Sequence, residues 1–222
     1  MILLGLGNPK TSKGESLGWL TGILHLAPGS LSGFNVCPMA SAGCLAACLN
    51  CAGRGAMDMI QRARIAKTVR WFEDRPAFIV DLYRDVEALV RKAKREGLRP
   101  CVRLNGTSDI PWENVLPEIF KDFPDVQWYD YTKRPGRWEL PSNYHLTFSR
   151  SETNGREARH ELEHGHNVAV VFDLIPASLA YKGFPIFEGD ESDLRFLDPP
   201  RHIIGLTAKG PAKHDLSGFV VR

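Results

Sequence analysis

Four of the five cysteines of this chain lie between positions 37 and 51, in the stretch CPMASAGCLAACLNC. Their spacing is Cys37-x6-Cys44-x3-Cys48-x2-Cys51. Thiolates bind zinc and iron–sulfur clusters, and they also form disulfides. Because cytosolic thiols stay reduced, so dense a group in a protein of the cytosol favours a metal centre over disulfides. The sequence therefore predicts a metal site in this loop.

The spacing also bears on which metal is held. Structural zinc sites usually bring together two separated pairs of ligands, often two C-x2-C pairs. This loop has a single C-x2-C pair, and all four thiols lie in one segment. One loop can wrap several corners of a [4Fe–4S] cluster. We therefore expect an iron–sulfur cluster, with zinc as the alternative metal.

The remaining composition is that of an ordinary globular protein. The chain has 222 residues, 43% hydrophobic and 24% charged, with a formal charge of +2. This near balance offers no global electrostatic argument for nucleic acid or for a membrane surface. The chain also has no apolar run of the roughly 20 residues that a membrane span needs. We expect a cytoplasmic protein.

Strand and helix patterns alternate along the chain. The segment 75–97 has an apolar stripe at helical spacing, Pro76 in its first turn and Gly97 at its end. Six candidate strands are predicted at 20–27, 101–106, 126–132, 144–150, 167–174 and 202–210. Such alternation indicates a parallel sheet in one α/β domain. We divide that domain into an N-terminal segment with the first strand (1–36), the cysteine loop (37–57) and the remainder (58–222).

The last three cysteines read C-x3-C-x2-C, and in this the chain resembles the radical S-adenosylmethionine enzymes. The resemblance implies a partial (β/α)6 barrel whose cluster loop follows the first strand. It also implies three thiolate ligands and one open iron that binds S-adenosylmethionine. An electron from the cluster then cleaves that cofactor reductively. A flavodoxin-like or ferredoxin-like protein is the electron donor that this chemistry implies.

Most of the chain also resembles a phage family, gene product eighty-eight. The stretches that carry this resemblance are CPMASAGC, CAGRG, YDYTKRP and GLTAKG. It implies a phage-encoded protein in the host cytoplasm. In this family a CP…C…C arrangement recurs, so the ligands are either Cys44, Cys48 and Cys51 or Cys37, Cys44 and Cys48. If all four thiolates bind, no iron is open.

Candidate cofactor-binding residues follow the predicted strands, where barrel enzymes keep their chemistry. The stretch RLNGTSD stands where the radical S-adenosylmethionine family carries its glycine- and glutamate-containing motif. Asn105 or Asp109 is expected to receive the amino group of the cofactor, with Ser149, Ser151 or Asn154 at its ribose or carboxylate. Lys133 and Arg150 are expected to pair with that carboxylate or with an anionic substrate. The full set is Asn105, Gly106, Ser108, Asp109, Lys133, Ser149, Arg150, Ser151 and Asn154.

Two other stretches are expected to lie at the surface. GDESDLRFLDPP (189–200) is acidic but lacks the ligand alternation of a calcium loop, so we predict a solvated loop. The helix GREARHELEHG carries His160 and His164, which do not match the zinc-protease pattern and are predicted to be solvated.

The sequence therefore predicts a [4Fe–4S] protein that cleaves S-adenosylmethionine reductively, with a substrate that the sequence does not identify. One alternative is a non-catalytic electron carrier or redox sensor with four cysteine ligands. Another is a zinc-stapled binding module that contacts a host protein or nucleic acid.

Overall fold

The computed structural model describes residues 1–6 and 13–222, so residues 7–12 of the predicted N-terminal segment lie outside the described residues. In this part of the chain, the strands are β1 (Leu4–Gly5), β2 (Trp19–Leu24), β3 (Arg99–Arg103), β4 (Gln127–Thr132), β5 (Tyr144–Ser149), β6 (Val168–Phe172), β7 (Ala180–Tyr181), β8 (Phe184–Glu188) and β9 (Ile203–Thr207). Six α-helices with both ends described are α1 (Ala42–Ala46), α2 (Asp58–Glu73), α3 (Arg75–Glu96), α4 (Trp112–Val115), α5 (Glu118–Asp122) and α6 (Gly155–Glu163). Short 3₁₀ turns span Leu49–Cys51, Gly53–Ala56, Arg195–Leu197 and Gly210–His214.

All nine described strands form one sheet, in the order β1-β2-β3-β4-β5-β6-β9-β8-β7. The six predicted strands are β2 to β6 and β9, and they pair in parallel in chain order. The prediction of one mostly parallel α/β domain is therefore confirmed. The two terminal strands, β1 and β7, pair in antiparallel fashion with their neighbours.

The sheet is not a closed barrel: among the described strands, β1 and β7 remain its two edges. It also has three strands that the sequence did not predict. Strands β1 and β7 have two residues each, too few to show an alternating pattern. Strand β8, FPIFE, begins with an aromatic residue and a proline and buries only Ile186, so it lacks a readable apolar face.

Helices α2 and α3 cover one face of the sheet. The predicted stripe of α3 buries Leu82, Val86, Leu89 and Ala93 in the main core, and Phe78, which lies outside the predicted stripe, is buried with them. The helix begins after Asp74, whose carboxylate accepts a hydrogen bond from the Ala77 N–H. It ends at Gly97, whose φ of +68° is a left-handed conformation that favours glycine. No described helix is long and apolar enough to cross a membrane.

The opposite face of the sheet is covered by the segment 193–198. Trp19, Cys101 and Tyr129 of three neighbouring strands pack there against Leu194. The prediction of a solvated loop at 189–200 is therefore wrong for residues 193–195, since Asp193 is 6% and Arg195 0% exposed. The charges of the segment can be buried because they are paired: Asp193 with Arg103 at 3.1 Å, and Arg195 with Asp198 at 3.2 Å.

The C-terminal segment lies beside the carboxyl end of β6. The Val221 N–H donates to the Val171 carbonyl at 2.8 Å, and the Val221 carbonyl accepts from the Asp173 N–H at 2.9 Å. Arg150 holds the same segment by donating to the carbonyls of Gly218 at 2.7 Å and Phe219 at 2.9 Å. The chain's own last residues thus cover part of the sheet end at which the parallel strands finish.

Candidate metal and cofactor site

A cavity of about 230 Å³ lies at the carboxyl ends of the parallel strands. The cysteine loop forms one wall, and the residues that end β3, β4 and β5 form the opposite one. Phe219 of the C-terminal segment closes part of the side. In parallel α/β sheets, ligands bind at this end of the strands, so the cavity is the candidate functional site.

Three thiols of the cysteine loop line this cavity: Cys37, Cys44 and Cys48. Cys51 is exposed and does not line it, and Cys101 is buried in the sheet. Among the described residues, no three His, Cys, Asp or Glu side chains converge closely enough to hold a single metal ion. The three thiols thus share one space without forming a mononuclear site.

Burial keeps two of these thiols neutral. It raises the pKa of Cys37 to about 11, and it also raises the pKa of Cys48. A thiol with a raised pKa is a poor nucleophile at neutral pH, because the thiolate is the reactive form. Thiolate formation in such a place needs a cation, which a metal centre supplies. The raised pKa values therefore argue against Cys37 and Cys48 as nucleophiles at neutral pH.

The first half of the loop is anchored to the segment that follows β5. Ser41 caps helix α1, because its hydroxyl oxygen accepts a hydrogen bond from the Cys44 N–H at 3.2 Å. The same hydroxyl donates to Glu152 Oε2 at 2.7 Å, and the Gly43 N–H donates to Glu152 Oε1 at 2.8 Å. A carboxylate 108 positions after Cys44 in the sequence numbering thus holds the helix that carries this thiol.

Asn50 holds the second half of the loop. It is 2% exposed, and its side-chain amide donates to Gln61 Oε1 at 2.9 Å. Gln61 donates back to the Asn50 carbonyl at 2.8 Å, and Arg64 donates to Asn50 Oδ1. The Asn50 N–H also lies 3.5 Å from the Cys48 sulfur, which accepts its hydrogen bond. The residue between Cys48 and Cys51 therefore shapes the loop and contacts one of the thiols.

Six of the nine predicted cofactor-binding residues line the cavity. They are Asn105, Gly106, Ser108, Asp109, Lys133 and Ser149. The other three lie outside its lining. Ser151 donates its backbone N–H to Asn154 Oδ1 at 2.6 Å, and Asn154 donates to the Ser149 carbonyl at 3.1 Å. These two residues organise the turn before α6, and Arg150 holds the C-terminal segment.

The Asn105 side chain is already fully engaged. Its Oδ1 accepts from the Ile110 N–H at 2.9 Å, from Trp112 Nε1 at 3.2 Å and from the Ser108 hydroxyl at 2.8 Å. Its amide nitrogen donates to the Ile110 carbonyl at 2.9 Å and to Asp130 Oδ2 at 3.4 Å. An amide with these partners has no capacity left for a ligand. Asn105 therefore shapes the turn between β3 and α4.

The Asp109 carboxylate is engaged in the same way. It accepts from the Thr132 hydroxyl at 2.8 Å and from the Lys133 N–H at 2.9 Å, and Arg137 lies 3.6 Å away. These bonds tie the turn after β3 to the end of β4. The proposed role in receiving the cofactor's amino group would require Asp109 to exchange one of these partners.

Lys133 differs from the other cations that line the cavity. Arg103 pairs with Asp193 at 3.1 Å and Lys209 with Asp190 at 2.5 Å. The Lys133 ammonium donates to Ser149 Oγ at 2.6 Å and lies 5.6 Å from the centre of the Phe219 ring. No carboxylate among the described residues forms an ion pair with it. Lys133 is therefore the cavity cation that is best placed to bind an anionic ligand.

Two polar residues near the cavity, Arg103 and Asp130, are not among the residues that the sequence assigned to the cofactor. Arg103 faces the cavity from within β3, and its partner Asp193 lies 90 positions away, so no local pattern links them. Asp130 is buried behind Asn105. Its carboxylate accepts hydrogen bonds from the Asn105 N–H at 2.6 Å and from the Tyr144 hydroxyl at 3.0 Å. Burial raises the pKa of Asp130 to about 7. An alternating strand containing one aspartate offers no signal of this environment.

Comparison with known protein families places almost the entire sequence in one of them. The family model described as "Gene product 88" matches residues 2–222. No curated protein and no solved structure matches the chain.

Proposed function

Since the chain belongs to the gene product 88 family over residues 2–222, we propose a function for it from its own site. In this proposal it holds a [4Fe–4S] cluster through Cys37, Cys44 and Cys48, and S-adenosylmethionine binds in the adjoining cavity. The activity proposed is that of a radical S-adenosylmethionine enzyme. The observation that carries the proposal is the placement of three thiols on one cavity wall, with the fourth outside.

The donor set fits such a cluster. Three thiols lie in one loop that borders the carboxyl ends of the strands, and a thiolate cluster needs ligands of this type. When bound, the cluster would supply the electron for reductive cleavage of S-adenosylmethionine. Of the two ligand triplets that the sequence left open, this placement favours the one that contains Cys37.

The chain's own residues would bind the ligand and exclude water. Apolar side chains from both walls, among them Leu45, Val171 and Phe219, would cover its less polar parts. Lys133 would face its anionic group. The hydrogen bond from the Asn50 N–H to the Cys48 sulfur would influence the cluster's reduction potential, as hydrogen bonds to cluster sulfurs do.

The strand arrangement supports the finer fold assignment that we propose. Strands β2, β3, β4, β5, β6 and β9 are parallel and adjacent in chain order, which is the order of a partial (β/α)6 barrel. The cysteine loop follows β2, the first of these six strands. Strands β1, β7 and β8 would then be additions at the two edges.

Two alternatives have less support from the same geometry. A four-cysteine electron carrier would need Cys51, which lies outside the cavity. A structural zinc held by the four thiols of the loop would likewise need Cys51 as its fourth ligand. Because the chain has cysteines for a single cluster, the proposed enzyme takes its electrons from a separate protein of the flavodoxin or ferredoxin type.

The test is anaerobic reconstitution with iron and sulfide, followed by electron paramagnetic resonance of the reduced protein. The proposal expects a [4Fe–4S]⁺ signal that shifts when S-adenosylmethionine is added. Cys37→Ala, Cys44→Ala and Cys48→Ala should each lower the bound iron, whereas Cys51→Ala should retain it. Cys101→Ala is the control for a thiol elsewhere in the fold.

Each other outcome identifies a different function. A cluster signal that does not respond to S-adenosylmethionine and is lost in Cys51→Ala would support a four-cysteine electron carrier. Tight zinc binding with no cluster formation would support the zinc-stapled module and overturn the proposal.

A further inference from the structure

A second group of side chains that can bind a metal surrounds Trp138, and none of its members lines the cavity. Trp138 is 44% exposed, and its ring stacks on His164, with ring centres 4.8 Å apart and planes inclined by 20°. His160 lies on the same ring at 5.7 Å, and His166 lies at 5.6 Å. Three of the seven histidines of the chain therefore contact one tryptophan.

The hydrogen bonds decide which ring nitrogen of His164 is available. Its Nδ1 lies 2.9 Å from the His160 carbonyl oxygen. A carbonyl oxygen only accepts, so Nδ1 carries the proton and the neutral ring keeps the Nε2 lone pair. Metal-binding histidines commonly show this pattern, in which one ring N–H is donated to a carbonyl and the other nitrogen binds the ion.

His160 places a second imidazole beside the first. The two residues are four positions apart at the end of α6, so their side chains lie on the same helix face. Their ring centres are 4.1 Å apart. Imidazole nitrogens are good ligands for Zn²⁺, Ni²⁺ and Cu²⁺. We propose that His160 and His164 form a surface binding site for a divalent transition-metal ion.

The neighbouring carboxylates do not extend this ligand set. Glu161 accepts from the Gly136 N–H at 2.9 Å, Trp138 Nε1 at 3.0 Å and His166 Nδ1 at 2.6 Å. Glu163 pairs with Arg159 at 2.8 Å. No described group of three or more His, Cys, Asp or Glu converges here, so water completes the coordination. A site with two protein ligands binds its ion reversibly.

Trp138 restrains the two imidazole rings, and its fluorescence can report the binding of an ion. Its stacking restrains both imidazole rings, which lowers the entropy lost when they bind an ion. It is also the exposed one of the five tryptophans, the others being Trp19, Trp71, Trp112 and Trp128. A paramagnetic ion held by the rings that touch it would quench its fluorescence.

The test is a titration of the full chain with Ni²⁺ alone, followed by tryptophan fluorescence. The readout is the quenching of the wild type minus the quenching of Trp138→Phe. This difference isolates the signal of Trp138, because any effect of Ni²⁺ at the cysteine loop occurs in both proteins. We expect saturable quenching that is lost in His160→Gln and in His164→Gln. Circular dichroism before metal addition checks that the variants are folded.

The matched control is His202→Gln. Its ring nitrogen Nδ1 also lies against a carbonyl, that of Pro200 at 2.8 Å. Within residues 1–6 and 13–222, however, no second imidazole stacks on its ring. This variant should keep the quenching in full. Quenching that persists in both His160→Gln and His164→Gln, or that is lost in His166→Gln alone, would overturn the assignment. Absence of any quenching specific to Trp138 would overturn it as well, without bearing on the cysteine cluster.

Discussion

The ammonium of Lys133 donates a hydrogen bond to the hydroxyl of Ser149 over 2.6 Å, joining the residue after β4 to the last residue of β5. Both side chains line the cavity that the cysteine loop borders. The described residues give this ammonium no carboxylate partner, in contrast to Arg103 and Lys209. A cation in this position favours an anionic ligand.

Replacing Lys133 by Met should therefore weaken ligand binding with little effect on folding. A hydrogen bond to a charged group contributes about 1.5–3 kcal/mol, so we expect a roughly ten- to hundredfold higher Kd for S-adenosylmethionine. Calorimetry on the reconstituted protein measures it. Lys209→Met is the control, because it removes a cavity cation whose charge Asp190 already balances. Equal effects of the two substitutions would contradict the special role of Lys133.

Glu152 should control the order of the cysteine loop. Glu152→Ala leaves the Ser41 hydroxyl and the Gly43 N–H without their acceptor, at a cost of about 1–3 kcal/mol for each group that stays unsatisfied. We expect faster amide hydrogen exchange across 41–47 and less iron retained after reconstitution. Glu163→Ala removes an exposed carboxylate that pairs with Arg159, and it should leave exchange in this loop unchanged. Unaltered exchange in Glu152→Ala would contradict the anchoring role.

Gly106 should tolerate no side chain. A Cβ at this position would lie 2.6 Å from the Leu24 carbonyl oxygen and 2.8 Å from the His25 ring. Gly106→Ala should lower the free energy of unfolding by about 1–3 kcal/mol, the usual cost of overpacking. Gly155→Ala is the matched control, since nothing lies within 4 Å of its Cβ. Chemical denaturation compares the two, and similar stabilities would show that the strand ends move apart readily.

Asp130 should make stability depend on pH. Burial raises its pKa in the folded chain to about 7, above the unfolded value near 3.8. The folded chain therefore binds the proton of the Asp130 carboxyl more tightly than the unfolded chain does. The stability that this difference contributes is complete below about pH 4 and is lost as the pH rises to about 7. Asp130→Asn removes this dependence.

The stability of Asp130→Asn relative to the wild type should therefore rise from pH 4 to pH 7 and level off above. The rise should reach a few kcal/mol, since one pKa unit corresponds to about 1.4 kcal/mol. Denaturation across this range measures it. Burial also lowers the pKa of His25 to about 3 and of His145 to about 4, so the stability contributed by these two groups rises with pH. The comparison of variant with wild type cancels this opposite trend. Parallel pH profiles would contradict the prediction.

Local patterns were sufficient for the elements of the fold. The six parallel strands and the helix α3 were predictable because hydrophobic periodicity, Pro76 and Gly97 act over a few residues. The burial of the segment 189–200 was not predictable from local patterns. Its acidic residues predict solvent exposure unless their ion-pair partners are known. Its burial depends on the Arg103–Asp193 ion pair, whose members are 90 positions apart.

The candidate site divides in the same way. The sequence alone determined that four thiols share one loop and that polar residues follow the strands, since both are matters of spacing along the chain. Only the tertiary structure decided that Cys37, Cys44 and Cys48 face one cavity while Cys51 does not. It also decided that Asn105 and Asp109 are engaged by neighbours while Lys133 has no carboxylate partner. The physical reason is that burial, ion pairing and hydrogen-bond capacity depend on groups distant in sequence that folding brings together.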